Sequence, residues 1–171
     1  MIDHPEILDI YDENAKPTGK TILRGTPIRN GEYSLSVHMY IYTPKGKFLL
    51  QKRSVKKRSL PGVWSVTCGA VKAGEDSISA GIREAKEEVG LDIPPEAFCF
   101  IEKIKRRHSF IDLYFIEHDF DIGMCKLQKD EVDNVRLCEP AELLRLIRNS
   151  ESSNSTYAAA VGRTMKKLNL L

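Results

Sequence analysis

The sequence predicts an α+β fold in which a mixed β-sheet carries helices on its faces. Three observations predict it. Runs rich in β-branched and aromatic residues recur at 33–43, 47–53, 98–104, 110–118 and 132–137. A helix-periodic segment interrupts them near 76–89, and two further helical segments, 140–148 and 156–168, follow the last strand. Strands and helices in this order stack as layers around a core. At 171 residues one domain, 1–171, is the default, with 1–32 as an N-terminal extension bearing short strands and 154–169 as a C-terminal helix.

Each element has a local cause. Residues 7–11 (Ile-Leu-Asp-Ile-Tyr) read as a short strand, and 12–19, with Asp12, Asn14, Pro17 and Gly19, as a turn. Tyr33, Val37, Tyr40, Ile41 and Tyr42 mark a strand. Pro44-Lys45-Gly46 is a hairpin turn, and Lys47 to Arg53 pairs back. Trp64-Ser65-Val66-Thr67 leads into 69–74, whose glycines and small residues make a turn. A helix then starts at Asp76 or Ser77, either of which can cap it. Gly90 suits the residue after the helix end, and Pro94-Pro95 forbid continuation. Leu143, Leu144 and Ile147 form the apolar side of the penultimate helix, and 149–155, rich in Ser and Asn, is a loop before the last one.

The helix at 76–89 carries the chemistry. Ile78, Ile82, Ala85 and Val89 form one apolar stripe, and Glu84, Glu87 and Glu88, at i, i+3 and i+4, cluster on a different face. Like charges four apart cost a few tenths of a kcal/mol in an isolated helix. Arg83 reaches Glu87 at i+4 but cannot neutralise three carboxylates. A hard divalent cation completes such a site, because Mg²⁺ prefers carboxylate oxygens and bridges substrate phosphates. The plainer alternative is a solvated, Glu-rich amphipathic helix.

Spacing separates the two. Residues 69–91 read G-x5-E-x7-R-E-U-x-E-E-x-G-U, with U apolar, filled by Gly69, Glu75, Arg83, Glu84, Glu87, Glu88 and Gly90. With residue types of about 5–7% abundance, seven set positions coincide by chance roughly once in 10⁸ starts. The segment resembles the signature of the Nudix hydrolase superfamily. The resemblance implies an α/β/α sandwich and cleavage of a diphosphate bond in an X–P–P–Y compound by water. It implies Mg²⁺ or Mn²⁺ bound by Glu87 and Glu88, with Glu84 assisting the metal or acting as base. Arg83 is implied to orient these carboxylates, often with Glu75, and the backbone carbonyl of Cys68 to serve as a metal ligand. Gly69, Glu75 and Gly90 are the remaining motif positions. Some members take one more acidic ligand from the place of Glu131, which otherwise reads as part of a solvated acidic loop. The likeness extends over roughly 33–150.

Arg53, Lys56, Lys57 and Arg58 form a basic cluster after the second long strand. Arg53 and Lys57 are candidate substrate contacts, since a diphosphate takes cationic donors; a surface basic loop is the competing reading. Trp64 reads as core or pocket wall. Pro61-Gly62-Val63-Trp64 with Cys68-Gly69, and Asp12-Glu13, Gly19-Lys20 and Arg24-Gly25, also resemble isopentenyl diphosphate isomerase, a Nudix-fold enzyme with a catalytic cysteine before the motif glycine. That enzyme places a histidine after the glycine and others in its N-terminal segment, whereas this chain has Ala70 and no histidine in 24–36. Cys68 is therefore expected as a small buried residue. An isomerase and a non-catalytic module binding a phosphorylated ligand remain as alternatives to a hydrolase of nucleoside diphosphate derivatives.

Composition narrows the class. Lys plus Arg number 26 against 24 Asp plus Glu, a net charge of +2 that gives no support for coating nucleic acid. There is no apolar run of about 20 residues and so no expected membrane span. The start, Met1-Ile2-Asp3-His4-Pro5-Glu6, lacks an apolar signal core. Cys68, Cys99, Cys125 and Cys138 are scattered without metal spacing, as are His4, His38, His108 and His118, so reduced thiols in the cytoplasm are expected. The expected partner is a small-molecule diphosphate; dimers are frequent among proteins with this signature, so a homodimer stays open.

Overall fold

The computed structural model describes residues 6–57, 59–150 and 155–171. Two sheets are present. The smaller is an antiparallel hairpin of β1 (Ile7–Tyr11) and β2 (Pro17–Leu23). The turn between them is shorter than the predicted 12–19. The Asp12 carboxylate accepts the N–H groups of Asn14 and Lys16, each at 2.9 Å, and Pro17 already opens β2. Proline at the first position of a strand loses no essential ladder bond.

The larger sheet has seven strands. β3 (Ser34–Tyr42) runs parallel to β8 (Ser109–Glu117) over its full length, and β7 (Cys99–Lys105) pairs antiparallel with β8 on the outside. The hairpin predicted around Pro44–Gly46 forms, but β3 and β4 (Phe48–Arg53) pair only at Tyr42 and Phe48. Beyond that point β4 pairs with β5 (Trp64–Ser65) and β9 (Val132–Cys138), while β3 pairs with β6 (Thr67–Ala70). The sheet therefore forks, and Gly69 and Ala70, predicted as turn, close the strand β6 in the fork.

Alternation along β3 divides the core. Leu35, Val37, Met39 and Ile41 pack beneath α1 (Ser77–Val89). Tyr40 and Tyr42 face the other way, toward α2 (Pro140–Asn149) and α3 (Ser155–Lys167). The result is an α/β/α sandwich, as the period-2 pattern of a sheet covered on both faces requires. The last helix is Ser155–Lys167 within the expected 154–169. Arg58, Asn154 and most of the predicted loop, 151–154, lie outside the described residues, as does His4.

The ends of α1 follow their capping residues. Asp76 is the N-cap, accepting the N–H of Ser79 at 2.7 Å. Gly90 ends the helix at φ +75°, a left-handed conformation that glycine adopts at little cost. The chain after the turn at Ile122–Met124 then crosses this end. The N–H of Lys126 donates to the Val89 carbonyl at 3.0 Å, and that of Gln128 to the Glu88 carbonyl at 3.2 Å. A Cβ on residue 90 would lie 2.8 Å from Lys126 Cβ and 2.9 Å from its N. Gly90→Ala is therefore expected to lower stability by about 2–4 kcal/mol, combining left-handed strain with backbone displacement. Urea denaturation measures it; a variant within 0.5 kcal/mol of wild type contradicts this account, a threshold set by the size of ordinary surface changes.

Candidate active site

α1 buries carboxylates. Glu84 is 7% and Glu88 5% exposed, whereas Glu87 is open to solvent. The expectation that all three share a face apart from the apolar stripe is corrected here. Ser77, Ala80, Gly81, Glu84, Ala85, Glu88 and Val89 form the buried side; of the predicted stripe Ala85 and Val89 are buried, while Ile78 and Ile82 are only half-buried. The acidic residues enter because β6 approaches with a glycine. A Cβ on Gly69 would stand 2.1 Å from Glu84 Cδ and 2.2 Å from its Oε1, so the Glu84 carboxylate occupies the space that any other residue would fill.

Arg83 organises this end of the site. Its Nε and Nη2 donate to the two oxygens of Glu75 at 2.8 and 2.9 Å. Its Nη1 donates to Glu84 Oε1 at 2.7 Å and to Glu87 Oε2 at 3.3 Å, and Nη2 reaches the Ala70 carbonyl at 3.1 Å. The Arg83 hydrogen bonds hold the Glu75 carboxyl below its ordinary pKa. Glu84 moves the other way, because burial outweighs its bond to Arg83.

Glu88 is held from the sheet. Its Oε2 accepts the Gln51 amide at 2.7 Å, and Gln51 Oε1 accepts the Thr67 hydroxyl at 3.1 Å. Burial pushes the Glu88 carboxyl up to about 7 despite the Gln51 bond. Glu131 follows the segment that crosses the end of α1, and its charge is among those that raise Glu88. Its own carboxylate is ion-paired with Lys57. Next to it, Lys56 pairs with Asp130 at 2.7 Å, and the Val55 N–H donates to Asp133 at 3.0 Å. Arg53 donates from Nε to the Ser59 carbonyl at 3.2 Å, and its charge favours the ionised form of Glu88. An open groove of about 520 Å³ lined by Lys56, Leu127, Lys129, Val132 and Asp133 adjoins this loop pair. A second, of about 470 Å³, lies remote from the carboxylates, between the Pro44–Gly46 turn and Leu170.

Cys68 is half-buried rather than fully buried, opposite His38 in the β3–β6 ladder. Burial, then the charge of Glu88, pushes its thiol up to about 12, so it stays protonated at neutral pH. Since Gly69 faces Glu84, alternation turns the Cys68 side chain to the opposite sheet face. Trp64 is half-buried against the α2–α3 core, with the Arg136 guanidinium 4.8 Å above its ring.

The comparisons with known proteins fit this geometry. The model of the NUDIX domain matches residues 32–159. An uncharacterised Nudix hydrolase of Listeria monocytogenes is 34% identical over 144 residues, 84% of this chain and 85% of that protein.

The chain belongs to the Nudix family. It is an enzyme of the Nudix hydrolase type. Isopentenyl-diphosphate Delta-isomerase 2 of Aromatoleum aromaticum is a more distant relative, 26% identical over 167 residues, 94% of this chain and 85% of that protein. A crystal structure of a Deinococcus radiodurans protein superposes with a TM-score of 0.72 at 24% identity, covering 92% of this chain and 98% of that one. It shares the fold.

Nudix proteins generally use a divalent metal such as Mg²⁺. Among the described residues, no three His, Cys, Asp or Glu side chains converge as a metal-holding group. The cause is visible: Glu84 and Glu87 are turned to Arg83, Glu88 to Gln51 and Glu131 to Lys57. The donor chemistry nevertheless suits a hard cation. All donors are oxygens, and Glu84 and Glu88 carry a burial cost that a cation would offset.

Gln51 and Thr67 went unnoticed in the sequence. The signal was a polar residue at 51, on the same strand face as buried Leu49, where alternation toward a helix calls for an apolar one. The raised Glu88 pKa has a consequence for stability. Unfolded Glu88 titrates near 4.5 and folded Glu88 near 7, so the folded state holds the proton longer. Its effect is therefore absent below pH 4.5, destabilises progressively between 4.5 and 7, and is complete above 7. In metal-free buffer, Glu88→Gln should flatten this decline and raise stability at pH 8 by on the order of 3 kcal/mol. Equal pH profiles for the two proteins in urea titrations would remove the case for a strained, buried Glu88.

Proposed function

We propose that the protein is a Mg²⁺-dependent (or Mn²⁺-dependent) hydrolase that cleaves the diphosphate bond of a nucleoside diphosphate derivative or related X–P–P–Y compound. The observation that carries this reading is the burial of Glu84 and Glu88 beside Glu87 on one helix, with Arg83 bonded to Glu84 and Glu87. Residues 1–171 are read as a single domain of this type, because the N-terminal hairpin bridges to the sheet at Tyr11–Tyr33 and α3 packs on the opposite core. No helix among the described residues is long and apolar enough to cross a membrane, and a cytoplasmic location is the proposed setting.

Glu84, Glu87 and Glu88, with the Cys68 carbonyl and Glu131, are the oxygens that would hold the cation. When bound, it neutralises phosphoryl charge and acidifies a water. Each chain residue then has a task. Arg83 fixes the direction of Glu84 and Glu87 and keeps Glu75 ionised. Gln51 holds one Glu88 oxygen and leaves the other for a ligand. Glu84, with its raised pKa, suits the acceptance of a proton from the attacking water. Lys57 and Arg53 neutralise phosphate oxygens once they exchange their present partners, Glu131 and the Ser59 carbonyl.

A second reading has a specific observation behind it. The 26% likeness to an isopentenyl-diphosphate isomerase spans nearly the whole chain, and the chain carries Cys68 directly before Gly69. Against it stand Ala70 and the absence of histidine from 24–36, where the isomerases carry theirs. Phosphorus NMR on a panel of nucleotides, sugar nucleotides, dinucleotide cofactors and isopentenyl diphosphate separates the two. New phosphomonoester signals from one compound are expected, abolished reversibly by EDTA and lowered by orders of magnitude in Glu87→Gln or Glu88→Gln. Activity persisting in metal-free buffer contradicts the mechanism. Isomerisation of isopentenyl diphosphate without cleavage, lost in Cys68→Ala, establishes the second reading.

A further inference from the structure

The N-terminal hairpin lies before residues 32–159, the part that matches the Nudix model. It is nevertheless tied to the loop that leads into α1. The Ala73 N–H donates to the Ile7 carbonyl and the Gly74 N–H to the Asp9 carboxylate, both at 2.8 Å. Leu8 and Ile10 are buried beneath it. This docking brings Glu6 and Arg24, the residues flanking the two strands, to the edge of the carboxylate site.

Glu6 bridges two cations there. One oxygen pairs with Arg24 Nη1, and the other lies 3.2 Å from Lys72 Nζ. The Arg24 N–H also donates to the Glu6 carbonyl at 2.8 Å. Arg24 and Lys72 thus share this one carboxylate as their ion-pair partner. The arrangement continues into the site. The Lys72 N–H donates to Glu75 at 3.1 Å, Glu75 grips Arg83, and Arg83 holds Glu84. Burial opposes the charge on Arg24, but its bond to Glu6, and after it the charges of Glu84 and Glu131, strengthen its hold on the proton. Arg24 therefore senses both carboxylates that flank the proposed reaction.

We propose that Arg24 is a specificity-determining contact to one phosphate of the diphosphate substrate, with Glu6 as the resting partner that the phosphate displaces. The inference rests on the hydrolase reading above and extends it to a segment outside the matched family region. Four observations favour it over a role in clamping the hairpin. The hairpin is already fixed by two backbone-donated bonds and two buried aliphatic side chains. The Arg24 side chain is 51% exposed, and its recorded pair uses one nitrogen of a planar fork suited to phosphate. The Arg24–Glu6 pair is partly solvent-exposed, and such pairs contribute little, so Glu6 is readily exchanged for a doubly charged phosphate. Arg83, a second guanidinium nearby, is committed to Glu75, Glu84, Glu87 and the Ala70 carbonyl.

The test uses methylenediphosphonate, an uncleavable diphosphate, titrated calorimetrically into the full chain with Mg²⁺ present. Arg24→Gln should weaken binding at least tenfold. Glu6→Gln should leave it unchanged or tighten it, because it removes the competitor. Arg24→Lys should recover part of the loss, and it keeps the test valid if the glutamine variant unfolds. A clamp predicts the opposite relation: both substitutions break the Arg24–Glu6 pair, and Glu6→Gln also releases Lys72, so Glu6→Gln must weaken binding at least as much as Arg24→Gln. Such a loss in Glu6→Gln, or no binding of the probe by wild-type protein, overturns the proposal. The hydrolase reading is scored separately, by cleavage in the phosphorus NMR assay. Cleavage in wild type with unaltered probe binding in Arg24→Gln sinks only the Arg24 contact. A tenfold loss in Arg24→Gln without any cleavage by wild type sinks only the hydrolase reading.

Discussion

Burying two carboxylates on one helix face is the constraint that the rest of the site answers. Moving an ionised carboxylate out of water costs several kcal/mol unless hydrogen bonds or opposite charge replace the lost hydration. For Glu84 the answer is Arg83, whose guanidinium offers donors in several directions at once. A lysine has one compact charge and could not serve Glu75 through two parallel bonds while reaching Glu84 and a backbone carbonyl. The bond to the Ala70 carbonyl matters as much as the ion pairs, because it ties the end of β6 to α1. That tie keeps Gly69 beneath the Glu84 carboxylate, and the loop from Val71 to Asp76 must then close over a fixed distance.

Glu88 receives a different answer, and it is weaker. Its hydrogen-bond partner is a neutral amide, itself held by Thr67, so hydration is replaced by dipoles with some help from the charge of Arg53. The forked sheet makes this possible. Because β3 and β4 separate after Tyr42 and Phe48, the side chains of Gln51 on β4 and Thr67 on β6 meet across the opening. The Ser65 hydroxyl, on the strand facing Gln51, is buried without a partner among the described residues, a further cost carried by the same region. Such costs are tolerated where they prepare a site for a ligand that is not always present. The consequence is a carboxyl that keeps its proton into the neutral range until opposite charge arrives. On the proposed function, cation binding there would be coupled to proton release, as it is wherever a ligand must first be deprotonated.

Local rules made most of the fold readable from the chain. The strands at 33–43 and 110–118, the caps at Asp76 and Gly90 and the two late helices follow alternation and capping chemistry that act within a few residues. The departures are all long-range. The start of β2 at Pro17 depends on β1 as its partner, and the parting of β3 from β4 depends on the insertion of β5 and β6. In the site, Gly69, Glu75, Arg83 and the three helix glutamates declare themselves by spacing. Gln51 does not, since its role requires knowing that β4 faces α1. The face assignment of Glu84 and Glu88 fails for a related reason. Helical periodicity tells which residues share a side, but whether that side is buried is decided by a glycine fifteen residues earlier.

On the proposed function, charge balance explains how such a site would take a diphosphate together with its cation. Among the described residues, the cations around the carboxylates already have partners of modest worth: Lys57 with Glu131, Lys56 with Asp130, Arg24 and Lys72 with Glu6. These pairs are at least partly exposed, so each is inexpensive to break. The buried contacts of Arg83 and Gln51 lie deeper and hold the carboxylates whether or not the outer pairs exchange. A ligand bearing two phosphates and its accompanying cation can recombine the outer pairs in both senses at once, phosphate oxygens replacing Glu131 and Glu6 on the basic side chains while the cation takes the carboxylate released from Lys57. Either component alone exchanges only half of each pair and leaves a charge uncompensated. The arrangement thus favours joint binding of metal and diphosphate over either one singly, and it does so through inexpensive surface pairs arranged around a rigid buried centre.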